Sequence, residues 1–277
     1  MGLRINTNVY SLTAQRNLSR ATEALNGSFR RLATGRRIAI SADDPAGLAI
    51  AERLRARIRS TDQAARNAED GISLVQTAEG ALQEVNALMI RMRELAVQSS
   101  NGTYNPDDRT ALDAEFSALI EEVDRIANQT SFNTIKLLDG SLTSAIRLQV
   151  GADTALGVDT LDVTSGDATA TNLGILTLSI ATVSGASSAI AALDLAIDTI
   201  SQQRGDIGAA QNRLTAVISN LQIASENLSA AESRIRDVDV AAETAALTKT
   251  SILQQAAISI LAQANIQPQA ALSLLQG

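Results

Sequence analysis

The side chains able to do chemistry in this sequence are few in kind. Its 277 residues contain no Cys and no His. That excludes disulfides, thiolate or imidazole metal ligands, Cys or Ser–His nucleophiles and imidazole acid–base catalysis. Hydrolysis by paired carboxylates is the chemistry left, and Asp43–Asp44, at a break in the chain, is the pair to weigh. Pro45 follows, so Asp44 reads as a helix N-cap, Pro45 as the first helical residue and Asp43 as a charge favoured at a helix N-terminus. The remaining carboxylates are spread along solvated helix faces, and no Gly-rich phosphate loop or metal-binding helix motif occurs. The composition points away from an enzyme: no catalytic residue, cofactor or metal is expected.

The arginines of the N-terminal arm are the other chemically suggestive group. Residues 1–41 carry seven Arg against a single acid, Glu23. Tyr10 and Phe29 are the only aromatics there, too few for a nucleic-acid stacking platform. The chain's net charge of −7 also opposes nucleic-acid binding. An Arg- and Ser-rich amphipathic start describes an organellar transit peptide as well, but no cleavage cue follows. Met1-Gly2 fails as a myristoylation signal because Asn6 stands where Ser or Thr is required. No apolar run reaches the length of a membrane span, so membrane insertion is not expected. There is no signal-peptide hydrophobic region near Met1 either. Asn-x-Ser/Thr matches such as Asn101-Gly102-Thr103 are at chance level.

What these residues sit on is read from periodicity. Leu193, Ile200, Ile207, Leu214, Leu221, Leu228 and Ile235 fall at strict seven-residue spacing. A continuous aliphatic seam of this kind predicts a helical rod over about 188–236, roughly 70 Å long at 1.5 Å per residue. A compact domain of this chain length is only about 40 Å across. The rod must therefore pair along its length with other helices, from this chain or another copy, and an elongated antiparallel helical bundle is expected. A helix from Pro45 to Gln98 carries the stripe Ile72, Val75, Leu82, Val85, Met89, Met92 and Ala96. A shorter helix, Pro106 to Asn128, carries Leu112, Phe116, Leu119, Val123 and Ile126. Between the rods the period changes. Thr134–Leu138, Asp139-Gly140 and Ile146, Leu148, Val150 predict a β-hairpin, with short strands at Thr160–Thr164 and Ile175–Ile180. Residues 151–187 read as an exposed, variable lobe.

Both ends are amphipathic. Leu18, Leu25 and Leu32 repeat at heptad spacing after Ile5, Val9 and Leu12. A last helix, about Ala241 to Ala264, has Leu247, Leu253, Ile260 and Leu261 on its apolar face. Gln267-Pro268 stops or kinks it before Leu272, Leu274 and Leu275. Terminal arms of about 40 residues bury too little apolar surface to fold alone. The fold class is mainly α, with a small central β-hairpin region and terminal helices whose partner, in this chain or in another copy, the residues leave open.

Several stretches resemble bacterial flagellins. They are Ile5-Asn6-Thr7-Asn8, the Arg31–Gly35 break leading to Arg37-Ile38, Asp43–Ala51, Asn67–Leu82 and Arg93–Gln98. Asn212-Arg213-Leu214, Leu253–Ala256, Leu261–Asn265 and the Pro268–Leu275 tail continue the likeness. It covers nearly the whole chain except about 140–187. The resemblance implies a subunit that self-assembles into the flagellar filament, outside the cell, giving motility; a hook–filament junction protein is the alternative. It divides the chain into 1–41 and 238–277 as two halves of a terminal coiled coil, and 42–187 and 188–237 as rod. It implies a polymerisation interface containing Leu18, Leu25, Leu32, Leu253, Ile260, Leu261, Leu272 and Leu275. It further implies other copies of the chain, the flagellar export apparatus, an export chaperone, and filament cap and hook-junction proteins as partners. Matching the family's immune-receptor motif places Arg91, Leu95 and Glu115 at contacts to a vertebrate Toll-like receptor, with Ile90 departing from the Gln of known agonists.

Overall fold

The computed structural model describes residues 7–141, 145–153 and 158–275, with side chains described through Ile266. Ile5, Asn6 and the side chains of Leu272, Leu274 and Leu275 lie outside that range. Among the described residues the elements are five helices and four short strands. They run α1 (Val9–Thr34), α2 (Pro45–Ser99), α3 (Pro106–Gln129), β1 (Ser131–Phe132), β2 (Ile135–Lys136), β3 (Ile146–Gln149), β4 (Thr160–Val163), α4 (Val183–Arg236) and α5 (Val240–Leu275). The chain divides into two compact units, one of residues 1–58 with 227–277 and one of residues 59–226.

The 59–226 unit holds the hydrophobic core. Val75, Leu82, Val85, Met89, Met92 and Ala96 of α2 are all fully buried, and Ile72 packs half-buried beside them. Phe116 and Val123 of α3 belong to the same cluster. So do Leu193, Ile200, Ile207 and Leu214 of α4. The heptad stripes therefore meet as the sequence predicts, and burying a side chain such as Phe116 contributes about 1.5–3 kcal/mol. Toward Leu221, Leu228 and Ile235 the α4 seam is only half-buried. An 18-residue window of α4 reaches a mean hydropathy of 1.3, enough by length and composition for a membrane span. Its buried stripe, Ala189 and Leu193 included, belongs to this core.

Helix boundaries follow local chemistry. Asn105 caps α3 by accepting from the Asp108 N–H, while the Asp108 carboxylate accepts from the Asn105 N–H, and Pro106 opens the helix. Gly35 ends α1 in the left-handed conformation, at φ 68°. Asp44 accepts from the Gly47 N–H at 2.9 Å, the expected N-cap of α2. Asp43 instead ties the preceding turn, accepting from Ala39 and Ile40 N–H at 3.0 and 3.1 Å.

The β region pairs differently from the expected hairpin. β2 pairs with β1, not with β3, in the register Ser131↔Lys136 and Phe132↔Ile135. Asn133 and Thr134 both have positive φ, 45° and 68°, so the two-residue turn has the twist that a tight hairpin requires. β3 pairs antiparallel with β4, Ile146↔Val163 through Gln149↔Thr160. The expected strand at Ile175–Ile180 does not form. Ile175 and Ile180 are fully buried there, but the backbone bonds are local, Ile175 N–H to Ala170 O and Leu178 N–H to Ile175 O. The Ile180 N–H is taken by the Asp113 carboxylate at 2.6 Å. Leu161, Val163, Ala168, Ala170 and Leu173 are buried in the same core, so the described part of 151–187 packs against the rod rather than standing out as an exposed lobe. At the C-terminus α5 runs on through Pro268 to Leu275 rather than stopping. Proline costs the helix one N–H donor at that point, and the Ala- and Leu-rich residues around it are good helix formers.

Candidate functional site

The terminal unit is built from a thin antiparallel pair. From one end of α1 to the other, the Asn8 amide donates to Ala264 O at 2.7 Å, Thr22 Oγ1 accepts from the Gln254 amide at 3.1 Å, and Arg31 meets Glu243 at 3.5 Å. Ser11 Oγ also donates to Asn265 Oδ1 at 2.8 Å. The face between the helices is small and polar as much as apolar. Ala14, Ser28 and Ala264 are the buried side chains of the described parts of α1 and α5.

The sequence-predicted interface residues divide on this geometry. Leu18, Leu25, Leu32 and Leu261 are half-buried, so part of each is already covered within the chain. Leu253 and Ile260 point elsewhere and are 51% and 58% exposed. They are joined by Ile252, Ile258 and Ile266, each more than half exposed. In the 36 residues of α5 only Glu243 and Lys249 are charged. A helix apolar on all sides is normally enclosed on all sides, and α1 covers only one face of this one.

At the junction of the terminal helices with their neighbours, the two chain segments lock by backbone. Arg37 N–H donates to Arg236 O at 2.7 Å, and Val238 N–H donates to Gly35 O at 3.1 Å. Arg37 Nη2 donates to Ile235 O at 2.6 Å. The Arg236 side chain is buried against Glu52 and Glu232 at 3.0 and 3.6 Å, with its Nε unsatisfied. Ile38 and Ala51, in the segments leading into and along α2, are both essentially inaccessible. Sequence reasoning missed Arg236 as an anchor.

The residues matched to a receptor contact do not form one surface. Arg91 donates from Nε and Nη2 to Glu115 Oε1 at 3.2 and 2.9 Å, and from Nη1 to Glu94 at 3.0 Å. The Glu115 hydrogen bonds, then those of Glu94, hold the Arg91 guanidinium above its ordinary pKa. Leu95 is 1% exposed and belongs to the core. Arg91, Glu115 and Ile90 are exposed.

Polar side chains that the stripes concealed tie α2 to α4. Arg93 meets Asp194 at 2.6 Å, Arg204 meets Glu79 at 2.7 Å, and Ser225 Oγ donates to Asp62 at 2.7 Å. The signal was present in the sequence: Glu79, Asn86 and Arg93 are themselves seven residues apart beside the apolar stripe. Arg109, 9% exposed, donates to Ser99 O at 2.9 Å and Asn101 O at 2.8 Å, holding the end of α2.

Among the described residues no group of three or more acidic side chains is placed to hold a metal ion.

Comparison with known proteins completes the picture. The family described as the bacterial flagellin N-terminal helical region matches residues 5–143, and the bacterial flagellin C-terminal helical region matches residues 190–275. The stretch left between them corresponds closely to the segment that the sequence motifs left unconstrained. A flagellin of Halalkalibacterium halodurans is 49% identical over 98% of this chain and 99% of its own length. A flagellin of Bacillus subtilis is 41% identical over 99% of this chain and 100% of its own length. Among solved structures, a Bacillus cereus flagellin matches with TM-score 0.50 and 34% identity, covering 56% of this chain and 88% of that one. A structure from Vibrio parahaemolyticus described as a flagellar hook-associated protein shares the fold, with TM-score 0.59 at 16% identity.

Proposed function

This chain belongs to the bacterial flagellin family, the structural, non-enzymatic subunit of the extracellular flagellar filament, and from that premise we propose that α1 and α5 are its polymerisation elements. Self-assembly with other copies follows from the family. The finer proposal is which surface performs it. Leu253 and Ile260 form the part of the interface that only a neighbouring subunit covers. Leu18, Leu25, Leu32 and Leu261 are shared between the intramolecular pair and the neighbour, and Leu272 and Leu275 extend the same interface.

The observation that carries this reading is the exposed apolar surface of α5, with two charges in 36 residues and α1 on one face only. Left in water, such a surface is a liability; covered by copies of itself, it drives association. Replacing Leu253 by Asp tests it. The change puts an unpaired carboxylate into a dry interface in every subunit, at a cost of several kcal/mol each. Filaments fail to form while the monomer is still secreted. Normal filaments from this variant overturn the assignment.

The remaining partners belong to the same proposal. The flagellar export apparatus and an export chaperone handle the chain before its termini pair, and filament cap and hook-junction proteins meet it at the ends of the polymer. The make-up of the α1–α5 contact supports this, because only the small side chains Ala14, Ser28 and Ala264 are fully buried in the described parts of that pair. A vertebrate Toll-like receptor reads the Arg91–Glu115 surface. With Leu95 buried, Leu95 supports that surface from behind rather than filling a receptor pocket. A receptor must exchange the bonds of Arg91 to Glu115 and Glu94 for its own.

A further inference from the structure

Two Asn-Gly dipeptides occur in the chain, Asn26-Gly27 and Asn101-Gly102. We propose that Asn101 is a site of spontaneous succinimide-mediated modification, that Asn26 is protected from it, and that Arg109 directs the product at Asn101 toward isoaspartate. The reaction begins when the Gly102 nitrogen attacks the Asn101 side-chain carbonyl carbon. A bond forms between Gly102 N and Asn101 Cγ; the Cγ–Nδ2 bond breaks, and ammonia leaves with the proton lost from the Gly102 nitrogen. Water then opens the cyclic imide at one of its two carbonyls.

Each step has a structural basis at Asn101. The residue is exposed in the turn just after α2 ends at Ser99. No acceptor among the described residues takes the Gly102 N–H, so the nucleophile is uncommitted. A Cβ added at Gly102 would meet nothing within 4 Å, so no neighbouring atom crowds the approach of the Gly102 nitrogen to Cγ. The Asn101 side chain is folded back over its own backbone, with Oδ1 accepting from the Thr103 N–H at 3.3 Å. That oxygen carries the negative charge once Gly102 N has added to Cγ, and a donor already aimed at it stabilises the intermediate.

Arg109 decides the second step. Its Nη2 donates to the main-chain oxygen of Asn101 at 2.8 Å, and its Nε holds Ser99 O at 2.9 Å. In the imide, the Asn101 main-chain carbonyl is the one polarised by the guanidinium. Water added there breaks the bond from that carbon to Gly102 N and leaves the backbone running through Cγ, which is isoaspartate. The carboxylate so formed lies against Arg109 as a charge-assisted pair. Asn26-Gly27 has none of this, because Gly27 lies inside α1, where its N–H is committed to the helix ladder. Attack at Asn26 requires local opening of that helix first.

The test is to incubate the purified chain in mildly alkaline buffer and follow both sites by peptide mapping and an isoaspartate assay. The folded chain is compared with the denatured chain and with a synthetic peptide of residues 98–105. The expected result is conversion at Asn101 at least about tenfold faster than at Asn26 in the folded chain, a factor equivalent to about 1.4 kcal/mol of helix opening. In denaturant the two rates converge. The isoaspartate share at Asn101 in the folded chain exceeds that of the peptide, and Gly102→Ala slows conversion. Equal rates at the two sites in the folded chain, or conversion at neither, overturns the site. An isoaspartate share equal to that of the peptide overturns the role of Arg109.

Discussion

Arg204 donates twice, from Nε at 2.9 Å and Nη2 at 2.7 Å, to one oxygen of Glu79, while the other Glu79 oxygen is buried without a partner. A pair so placed, half-buried with one carboxylate oxygen unsatisfied, does less for net stability than for alignment, since desolvation offsets part of its attraction. Its neighbours Arg93–Asp194 and Asp62–Ser225 fall in the same antiparallel order along α2 and α4. Together they choose one register among those that a seven-residue aliphatic repeat would otherwise allow.

Glu79→Ala therefore destabilises the monomer by about 1–2 kcal/mol, a value discounted because both side chains are about a third exposed. Arg204→Lys loses part of the same energy, since an ammonium cannot reproduce the forked contact. Urea denaturation of the monomer checks both. An unchanged midpoint for Glu79→Ala would show that the pair contributes nothing.

The turn between α1 and α2 is acid-sensitive. The Ile40 N–H first, then the Ala39 N–H, hold the Asp43 carboxyl below the ordinary Asp value; burial opposes them, and Arg30 and Arg31 assist. The folded pKa lies below the unfolded value of about 3.9. The stabilisation is therefore complete above that value and is lost as pH falls through the folded pKa. Asp43→Asn removes this component of the acid response. Amide exchange at Ala39 and Ile40 should accelerate on acidification below about pH 4 relative to the intrinsic rate in the native chain, and respond less in the variant. Identical pH profiles for the two chains would contradict the assignment.

Receptor recognition is testable on the monomer. Arg91→Ala removes the donor and frees Glu115, and binding to the receptor ectodomain should weaken by about tenfold or more, the loss of a charge-assisted contact. Ile90→Gln restores an amide and should strengthen binding. Equal affinity of the native chain and both variants would show that the contact lies elsewhere.

How far the sequence could be read depended on the kind of signal. The helices were legible because Leu193 to Leu214 and Val75 to Ala96 repeat with the period of a helix and have no competing use. The hairpin differs from expectation because Asp139-Gly140 looks like a turn, whereas Asn133-Thr134, with Thr in a position that favours Gly, makes the tight one. Asp139 has other work: its carboxylate accepts from the Ser141 hydroxyl and N–H, which hold its pKa down. Ile175 and Ile180 resemble a strand in sequence because burial, not pairing, selects apolar residues there. The surface proposed for assembly is legible as composition, but which of its leucines are already partly covered is not. Leu247 and Leu253 look alike in the sequence, and only pairing with α1 separates the half-buried one from the exposed one.

The central claim is that the 59–226 unit folds on its own core while the terminal helices serve polymerisation. Every residue of the main hydrophobic cluster, from Ala68 to Leu214, lies within that unit. Electron microscopy of concentrated full-length chain beside a chain lacking residues 1–41 and 241–277, with circular dichroism confirming helix in each, tests this most directly. The account predicts filaments from the full chain and a helical, soluble monomer without filaments from the shortened one. Filaments from the shortened chain, or its failure to fold, would contradict it.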